Sequence, residues 1–248
     1  MAGGPNRRSV VFGALVAPLV RPSSALSSVR IARFSTAAPG AAEVPGWQHQ
    51  PLPKVERSNT FRIVEDSGDR VLRVRSAASA SSWVAPLSGS DPAAPVLQWR
   101  WKVSRAVAGS DLRSKQGDDY AARLYVLFDL PLDRLAFGDR LRLQAARALS
   151  GADLPAAAIC YVWGTAQAPG STGWNPYTDR LRMVVVDSGN THAMQWRGGR
   201  RDLRADWDAA AFGGTMPRIA AIAVGADTDN TGEAVDAFFG DVSLQEAP

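Results

Sequence analysis

The chain has 248 residues and a net charge of +4 at pH 7, from 28 lysines and arginines against 24 aspartates and glutamates. Its length and its 46% hydrophobic residues allow one domain with a real core, or at most two small ones. One cysteine and two histidines exclude an internal disulfide and a histidine-rich zinc site. Cys160 lies in an apolar run, which favours a buried thiol over a nucleophile.

The first 25 residues have the layout of an export signal. Arg7-Arg8 precedes an apolar run from Val10 to Val20, and the small residues Ser23 to Ala25 offer a cleavage site. That run is too short to span a bilayer of roughly 30 Å, so we predict a protein that is not integral to a membrane. We predict a twin-arginine-type signal peptide at residues 1–25 and a periplasmic or secreted location; the alternative is an arginine-rich start without a targeting role.

Removal of this peptide would take Arg7, Arg8 and Arg21 from the chain and no acidic residue, so the net charge would fall from +4 to +1. A nearly neutral mature protein lacks the positive field that binds phosphates. We therefore expect no nucleic-acid partner.

Residues 26–58 are rich in Ala, Pro, Ser and Gly, which predicts an extended lead-in with one short strand at Val29–Ser35. From Thr60 onwards apolar and polar residues alternate, which predicts a single β-sandwich domain over residues 59–248. A hairpin is predicted across the turn Ser67-Gly68-Asp69. Further strands are predicted at Ser82–Pro86, Val96–Ser104, Asp119–Asp129, Ala157–Gly164, Arg180–Asp187, His192–Trp196, Arg218–Asp227 and Phe238–Gln245.

Two segments break the alternation. Residues 132–149 carry apolar residues at helical spacing, and Leu203–Phe212 predicts a short helix that ends at Gly213-Gly214. So many strands with so few helices predict an all-β fold. We expect an antiparallel, jelly-roll-like β-sandwich with a helical insertion near residues 132–150.

If the predicted strands around residues 100, 123 and 161 are neighbours, alternation places polar and aromatic side chains on one sheet face. Aromatic rings stack on pyranose rings, and planar polar groups hydrogen-bond the sugar hydroxyls. Arginine also suits carboxylated sugars. The predicted ligand-binding residues are Arg100, Lys102, Arg123, Tyr125, Tyr161 and Trp163, with Asp119 on the same face. Alternation leaves open whether Tyr161 and Trp163 lie on that face or in the core, and the alternative for the whole face is an ordinary solvated one.

The segment 227–233 reads Asp-Thr-Asp-Asn-Thr-Gly-Glu, a short loop with several oxygen donors. Such a loop could coordinate a structural calcium ion, although Phe238 at the twelfth position excludes an EF-hand. The alternative is an Asx-rich turn, because Asp and Asn also stabilise turns. The candidate metal ligands are Asp227, Asp229, Asn230, Glu233 and Asp241.

Carboxylates near the predicted groove raise the alternative of an enzyme. Glycoside hydrolysis needs two carboxylates about 5–10 Å apart. Polysaccharide elimination could use a tyrosine base beside an arginine. If the protein is an enzyme, the candidate catalytic residues are Asp118, Asp119, Arg123 and Tyr125, with Asp187 as a further carboxylate. Alternatively, Asp118 is a turn residue, and Asp119 and Arg123 neutralise each other.

Six motifs occur in this order along the chain: Leu97 to Val103 (LQWRWKV), Gly117 to Val126 (GDDYAARLYV), Cys160 to Trp163 (CYVW), Asn175 to Thr178 (NPYT), Asp227 to Glu233 (DTDNTGE) and Phe239 to Val242 (FGDV). Together they resemble the bacterial Domain of Unknown Function family 3047, from about Phe34 to Leu244. The resemblance implies a small exported protein without an assigned activity. The last motif is also similar to the final strand of jelly-roll carbohydrate-binding modules, in which an aspartate can ligate structural calcium.

Three functions remain open from the sequence. The leading hypothesis is non-catalytic binding of a glycan or polysaccharide on one sheet face. The second is a polysaccharide-cleaving hydrolase or lyase. The third is a structural or protein-binding component of the cell envelope.

Overall fold

The computed structural model describes Met1 and residues 28–87, 95–150 and 155–246. Apart from Met1, the predicted signal peptide lies outside the described residues, so export stays a prediction. In the described ranges, no helix has both the length and the apolar character needed to cross a bilayer.

The described residues form fourteen strands and two α-helices, with short 3-10 helices at Phe34–Thr36 and Leu132–Arg134. The strands are β1 Ser28–Ala32, β2 Gln48–Pro51, β3 Thr60–Asp66, β4 Asp69–Ala77, β5 Ala80–Pro86, β6 Val96–Val103, β7 Tyr120–Phe128, β8 Ala157–Gly164, β9 Thr172–Asn175, β10 Thr178–Ser188, β11 Arg197–Asp202, β12 Ile219–Asp227, β13 Ala234–Phe239 and β14 Val242–Gln245. The helices are α1 Phe137–Ser150 and α2 Leu203–Ala209.

Two seven-stranded sheets pack face to face. Sheet 1 has the order β1-β14-β6-β13-β4-β3, with β11 on the other edge of β6, and sheet 2 has the order β2-β5-β12-β7-β8-β10-β9. Described neighbours are antiparallel except β8 and β10, which are parallel. From β4 to β7 the chain changes sheet at every strand, as in a jelly roll. The predicted β-sandwich with a helical insertion is therefore confirmed.

The core lies between the sheets because alternation directs one face of each strand inward. Trp99 and Trp101 of β6 point into it and meet Tyr161 and Trp163 of β8, with ring centroids 5.3 Å apart for Trp99–Tyr161 and 6.1 Å for Trp101–Trp163. Tyr161 and Trp163 are 0% exposed. The structure thus decides the question that alternation left open, and it places both rings in the core.

Most predicted elements are present. The β3–β4 hairpin turns at Ser67 and Gly68, which both have the positive φ angles that this turn requires. Six further predicted strands are present as β5 to β8, β10 and β12. Each begins and ends within two residues of the predicted positions. Helix α2 begins after Asp202, whose side chain accepts hydrogen bonds from two backbone N–H groups of the first turn.

Two predicted strands are wrong. Residues 192–196 form turns, in which Met194 has a φ of 62°, and strand β11 begins only at Arg197. The predicted strand Phe238–Gln245 is two strands that break at Gly240. The Gly240 N–H donates to the Arg100 carbonyl, and a Cβ at Gly240 would lie 2.6 Å from the Arg100 side chain.

The described part of the predicted lead-in is built into the sandwich. Strand β1 pairs with β14 in sheet 1, and β2 pairs with β5 in sheet 2. Phe34, Val44 and Trp47 are buried in the common core. These strands have only four or five residues each and no clear alternation of apolar and polar residues. The prediction of an extended segment therefore rested on composition alone.

Candidate functional site

The predicted binding residues lie on opposite sides of the molecule. Strand β6 belongs to sheet 1 and β7 to sheet 2, so Arg100 and Lys102 face outward from one sheet while Arg123 and Tyr125 face outward from the other. The predicted shared face required β6 to lie beside β7 or β8. Instead, β6 pairs with β11, β13 and β14. Tyr161 and Trp163 belong to neither outer face, since they fill the core.

The outer face of sheet 1 is organised around Trp196, which directly precedes β11. Its indole N–H donates to Asp66 Oδ2 at 2.7 Å. The Arg100 guanidinium carbon lies 4.6 Å from the indole centroid, and Lys102 Nζ lies 5.2 Å from it. Lys102 Nζ also lies 4.6 Å from the centroid of Phe238. The face therefore combines fixed cations with two aromatic rings, Trp196 and Phe238, which were not among the predicted binding residues.

Asp66 holds this arrangement in place. Its carboxylate binds the Lys102 ammonium group, which is almost fully buried, as well as the Trp196 indole. Burial on its own would raise the pKa of Asp66, but the hydrogen bonds from Lys102 and Trp196 outweigh it and lower the pKa below its usual value. Asp66 is therefore ionised at neutral pH.

The lowered pKa of Asp66 predicts a loss of stability in acid. A carboxyl group whose pKa is lower in the folded state stabilises the fold above its unfolded pKa of about 4, and this stabilisation is lost as the pH falls through the folded pKa. The free energy of unfolding of the wild type should thus fall, relative to Asp66→Asn, as the pH drops below about 4 in urea titrations. The control is Glu65→Gln, because Glu65 is an exposed neighbour. If the difference in unfolding free energy between the wild type and Asp66→Asn did not change with pH, the lowered pKa of Asp66 would be contradicted.

A cavity of about 370 Å³ opens on sheet 1 where β13 ends. At this point β14 replaces β13 on the edge of β6, so the sheet divides. The cavity is lined by Ser35, Asp69, Arg70, Gln98, Trp99, Arg100, Asp241 and Ser243. Arg100 donates to Asp69 at 2.6 Å, and Asp241 accepts from the Ser35 hydroxyl at 2.7 Å. The lining is thus mostly polar and supplies both donors and acceptors.

Arginines crowd the part of the same face formed by β3 and β4. Arg62 lies directly opposite Arg73 in the strand register, and Arg75 lies one pleat further along. Asp236 of β13 binds Arg73 at 2.9 Å and lies 3.9 Å from Arg75. Within the described ranges Arg62 has no ion pair. Like charges directly opposite each other destabilise a sheet, so this arrangement has a cost that an anionic ligand would relieve.

On sheet 2, Arg123 is the centre of a buried cluster. One of its terminal nitrogens lies 3.2 Å from Asp118 Oδ1 and 3.0 Å from Asp227 Oδ2, and the other donates to Tyr125 Oη at 3.3 Å. Asn175 of β9 donates to the second oxygen of Asp118 at 2.8 Å. We call Arg123, Asp118, Asp227 and Asn175 the buried arginine cluster; it joins the loop before β7, the β9–β10 hairpin and the end of β12.

The candidate calcium ligands are brought together only in part. Carboxylate oxygens of Asp227 and Asp229 lie within 4.8 Å of each other and of Asp119, which the sequence had assigned to the sugar face. Asn230 Nδ2 donates to Asp119 at 3.0 Å. Glu233 instead accepts from the Ala108 N–H at 2.9 Å.

Asp241 lies at the far end of β13 from this loop, so it cannot complete the same metal site. Burial raises the pKa of Asp227 well above its usual value; Arg123 opposes this effect, while Asp229 and Asp119 add to it. The loop is also held as a turn, because Asp119 accepts from the Thr231 N–H at 2.7 Å. Calcium binding there stays a prediction.

The candidate catalytic groups are buried and form hydrogen bonds within the protein. Asp118, Asp119 and Arg123 are at most 7% exposed, and each forms hydrogen bonds within the protein. Burial raises the pKa of Tyr125 well above its usual value despite the neighbouring Arg123, so the phenol keeps its proton and is a poor base at neutral pH. Asp187 is buried too and accepts from the Trp101 indole at 2.8 Å. These contacts stabilise the fold and leave little access for a polymer.

Cys160 of β8 packs on the outer side of sheet 2, in the same cluster of side chains as Tyr125, and is 0% exposed. Burial raises the pKa of its thiol to about 12. The thiol is therefore not ionised at neutral pH, and it serves as a small packing residue.

Residues 45–243 match the profile of a family described as "Protein of unknown function (DUF3047)". The chain belongs to this family. The match confirms the resemblance that the six ordered motifs suggested. No curated protein sequence matches the chain significantly.

Solved structures offer distant likenesses. One is the xyloglucanase domain of NopAA, a type three effector from Sinorhizobium fredii in complex with cellobiose, at 11% identity and a TM-score of 0.45 over 86% of this chain and 100% of that one. Another is Cip1, described as a cellulose-induced protein, at 13% identity and a TM-score of 0.32 over 80% and 90% of the two chains. At these identities the likeness says nothing about activity.

Proposed function

We propose that the domain binds an acidic glycan, without cleaving it, on the outer face of sheet 1. The observation that carries this proposal is the polar cavity of about 370 Å³, which Arg100 links to the Trp196 ring. Its volume lies in the lower part of the range of small-ligand sites and suits a sugar unit at or near the end of a chain. Hydroxyl, amide, guanidinium and carboxylate groups in one cavity match the hydroxyl-rich surface of a sugar.

Aromatic rings on the same face as the cavity support a sugar as the ligand. Trp196 and Phe238 are both partly exposed on this face. Their positions are fixed, because the Trp196 indole donates a hydrogen bond to Asp66 and both rings pack against Lys102. A ring that is already held in place loses little entropy when a pyranose stacks on it.

The excess of positive charge supports an acidic ligand. The outward side chains of sheet 1 include six cations, Arg62, Arg73, Arg75, Arg100, Lys102 and Arg200, and the four acidic residues Asp66, Asp69, Asp202 and Asp236. We call this outer surface the arginine face. A guanidinium group binds a carboxylate through two parallel hydrogen bonds, so uronate units are a fitting ligand class.

Two carboxylates on this face support binding without cleavage. Glycoside hydrolysis needs one carboxylic acid that keeps its proton at the working pH. Asp66 has a lowered pKa, and Asp69 is paired with Arg100. A carboxylate that stays ionised, as Asp66 does, can accept hydrogen bonds from a glycan but cannot protonate a leaving group.

The arginine pair on β3 and β4 gives the test of this proposal. The double variant Arg62→Gln, Arg73→Gln should bind polygalacturonate at least about tenfold more weakly, since each charged hydrogen bond contributes roughly 1.5–3 kcal/mol. Because these contacts are electrostatic, the wild-type affinity should also fall with added salt more steeply than that of the variant. Affinity electrophoresis and calorimetry at two salt concentrations measure both effects.

Arg57→Gln, an exposed arginine whose backbone adjoins sheet 2, is the matched control and should leave the affinity unchanged. Equal affinity of the folded double variant and the wild type would refute the assignment to this face. Shortening of the polymer would instead support the hydrolase or lyase alternative. Failure to bind any acidic polysaccharide would favour a structural role.

A further inference from the structure

A second cavity lies on the other side of the fold, beside the β9–β10 hairpin. It has a volume of about 300 Å³ and is bounded by the start of α1, the hairpin and the chain after α2. We call it the hairpin pocket. None of its lining residues belongs to the arginine face or to the buried arginine cluster.

An exposed tryptophan forms one wall of the hairpin pocket. Trp174 is 37% exposed, whereas the other seven tryptophans of the chain are buried or only partly exposed. Keeping an indole in water costs free energy that burial would recover. Because this indole stands at the wall of a cavity, its open surface is available to stack on a ligand that enters the cavity.

The Trp174 ring is held in a fixed position. The Arg182 guanidinium carbon lies 5.1 Å from its centroid, and Arg182 does not line the pocket. The Phe212 ring meets the indole edge-on at a centroid distance of 5.5 Å. Phe212 in turn packs at 4.7 Å against Trp207, which is 1% exposed. The aromatic wall is thus anchored in the core before any ligand arrives.

Polar groups complete the pocket, and their charges balance. Arg180 bonds to Asp139 at 3.1 Å and to Asp179 at 3.0 Å. Arg134 donates to the Thr215 carbonyl at 2.9 Å. Two arginines and two aspartates line the pocket, so it has no net charge to attract an anion. Their remaining donors and acceptors suit hydroxyl groups.

The hairpin itself is tied to the rest of the fold. Asn175, the residue after Trp174, is 7% exposed and donates to Asp118 of the buried arginine cluster. Tyr177 at the turn donates to the Lys115 carbonyl at 3.3 Å. The aromatic wall therefore stands on a braced hairpin rather than on a free loop.

From these contacts we propose that the hairpin pocket is a second sugar site, which takes an uncharged pyranose unit by stacking on Trp174. This site is independent of the acidic-glycan site on sheet 1. The two sites differ in ligand class, because one carries excess positive charge and the other is balanced.

Titration of the full chain with neutral hexasaccharides of glucose, mannose and xylose tests the proposal. Binding of at least one of them is expected, with little dependence on salt. Trp174→Ala should weaken that binding at least about tenfold, as removal of a central aromatic contact does. Trp196→Ala and the double variant Arg62→Gln, Arg73→Gln should not affect it, whereas Trp174→Ala should leave polygalacturonate binding intact.

Asp179→Ala provides a second variant if Trp174→Ala does not fold, because the Asp179 side chain is 60% exposed and carries little of the packing. It should weaken neutral-sugar binding as well. Lack of binding of all three hexasaccharides to the folded wild type would overturn the proposal, as would binding that neither variant weakens. Neither result would affect the acidic-glycan site, whose test uses a different ligand and different residues.

Discussion

Replacement of Arg123 by methionine is expected to lower the free energy of unfolding by about 3–5 kcal/mol, because it leaves buried carboxylates without their cation. The Arg123 side chain is 4% exposed and lies within 3.2 Å of both Asp118 and Asp227. Burial already raises the pKa of Asp227, and loss of the guanidinium would raise it further. Methionine keeps most of the side-chain volume, so the main changes are the loss of the charge and of the guanidinium hydrogen bonds. Urea denaturation monitored by tryptophan fluorescence measures the loss.

Arg218→Met is the matched control. Arg218 pairs with Asp129 at 2.5 Å, but both side chains are 49% exposed, so this ion pair should contribute at most about 1 kcal/mol. The triple variant Arg123→Met, Asp118→Asn, Asp227→Asn should recover part of the lost stability, since it removes the unpaired charges as well. Similar losses for Arg123→Met and Arg218→Met would contradict the buried pairing.

The sequence predicted the strand that carries Arg123 but not the surroundings of the side chain. Strand β7 has the expected alternation from Arg123 to Phe128. Its register against β12 shifts between Gly225 and Asp227, so Tyr120 leaves the core face that strict alternation assigns to it. Tyr120 packs instead on the outer side of sheet 2 with Cys160 and Val162. The alternation of apolar and polar residues in the sequence does not reveal a bulge of this kind.

The division of the predicted sugar face has a different cause. Alternation tells which residues of one strand share a side, but it does not tell which sheet the strand joins. Strands β6 and β7 are consecutive in the chain, and each has a clear apolar side. The chain nevertheless crosses between the sheets after β6, so Arg100 and Arg123 face away from each other. Trp196 was not predicted as a binding residue, because residues 192–196 were predicted to form a strand and instead form turns.

Gly199→Ala should cost about 3 kcal/mol of stability, at the upper end of what overpacking usually costs. Gly199 of β11 lies opposite Trp99 of β6, and a Cβ atom there would stand 2.2 Å from the indole ring. Trp99 cannot easily yield, since it is 5% exposed and packs against Tyr161 at 5.3 Å and Trp101 at 5.4 Å. Thermal and urea unfolding should both register the loss.

The neighbouring Gly198 provides the control, because a Cβ there meets no atom within 4 Å. Gly198→Ala should therefore be nearly neutral. If Gly199→Ala were as stable as Gly198→Ala, the Trp99 ring would be free to move away from Gly199, which would contradict its tight packing between β11 and Tyr161 of β8.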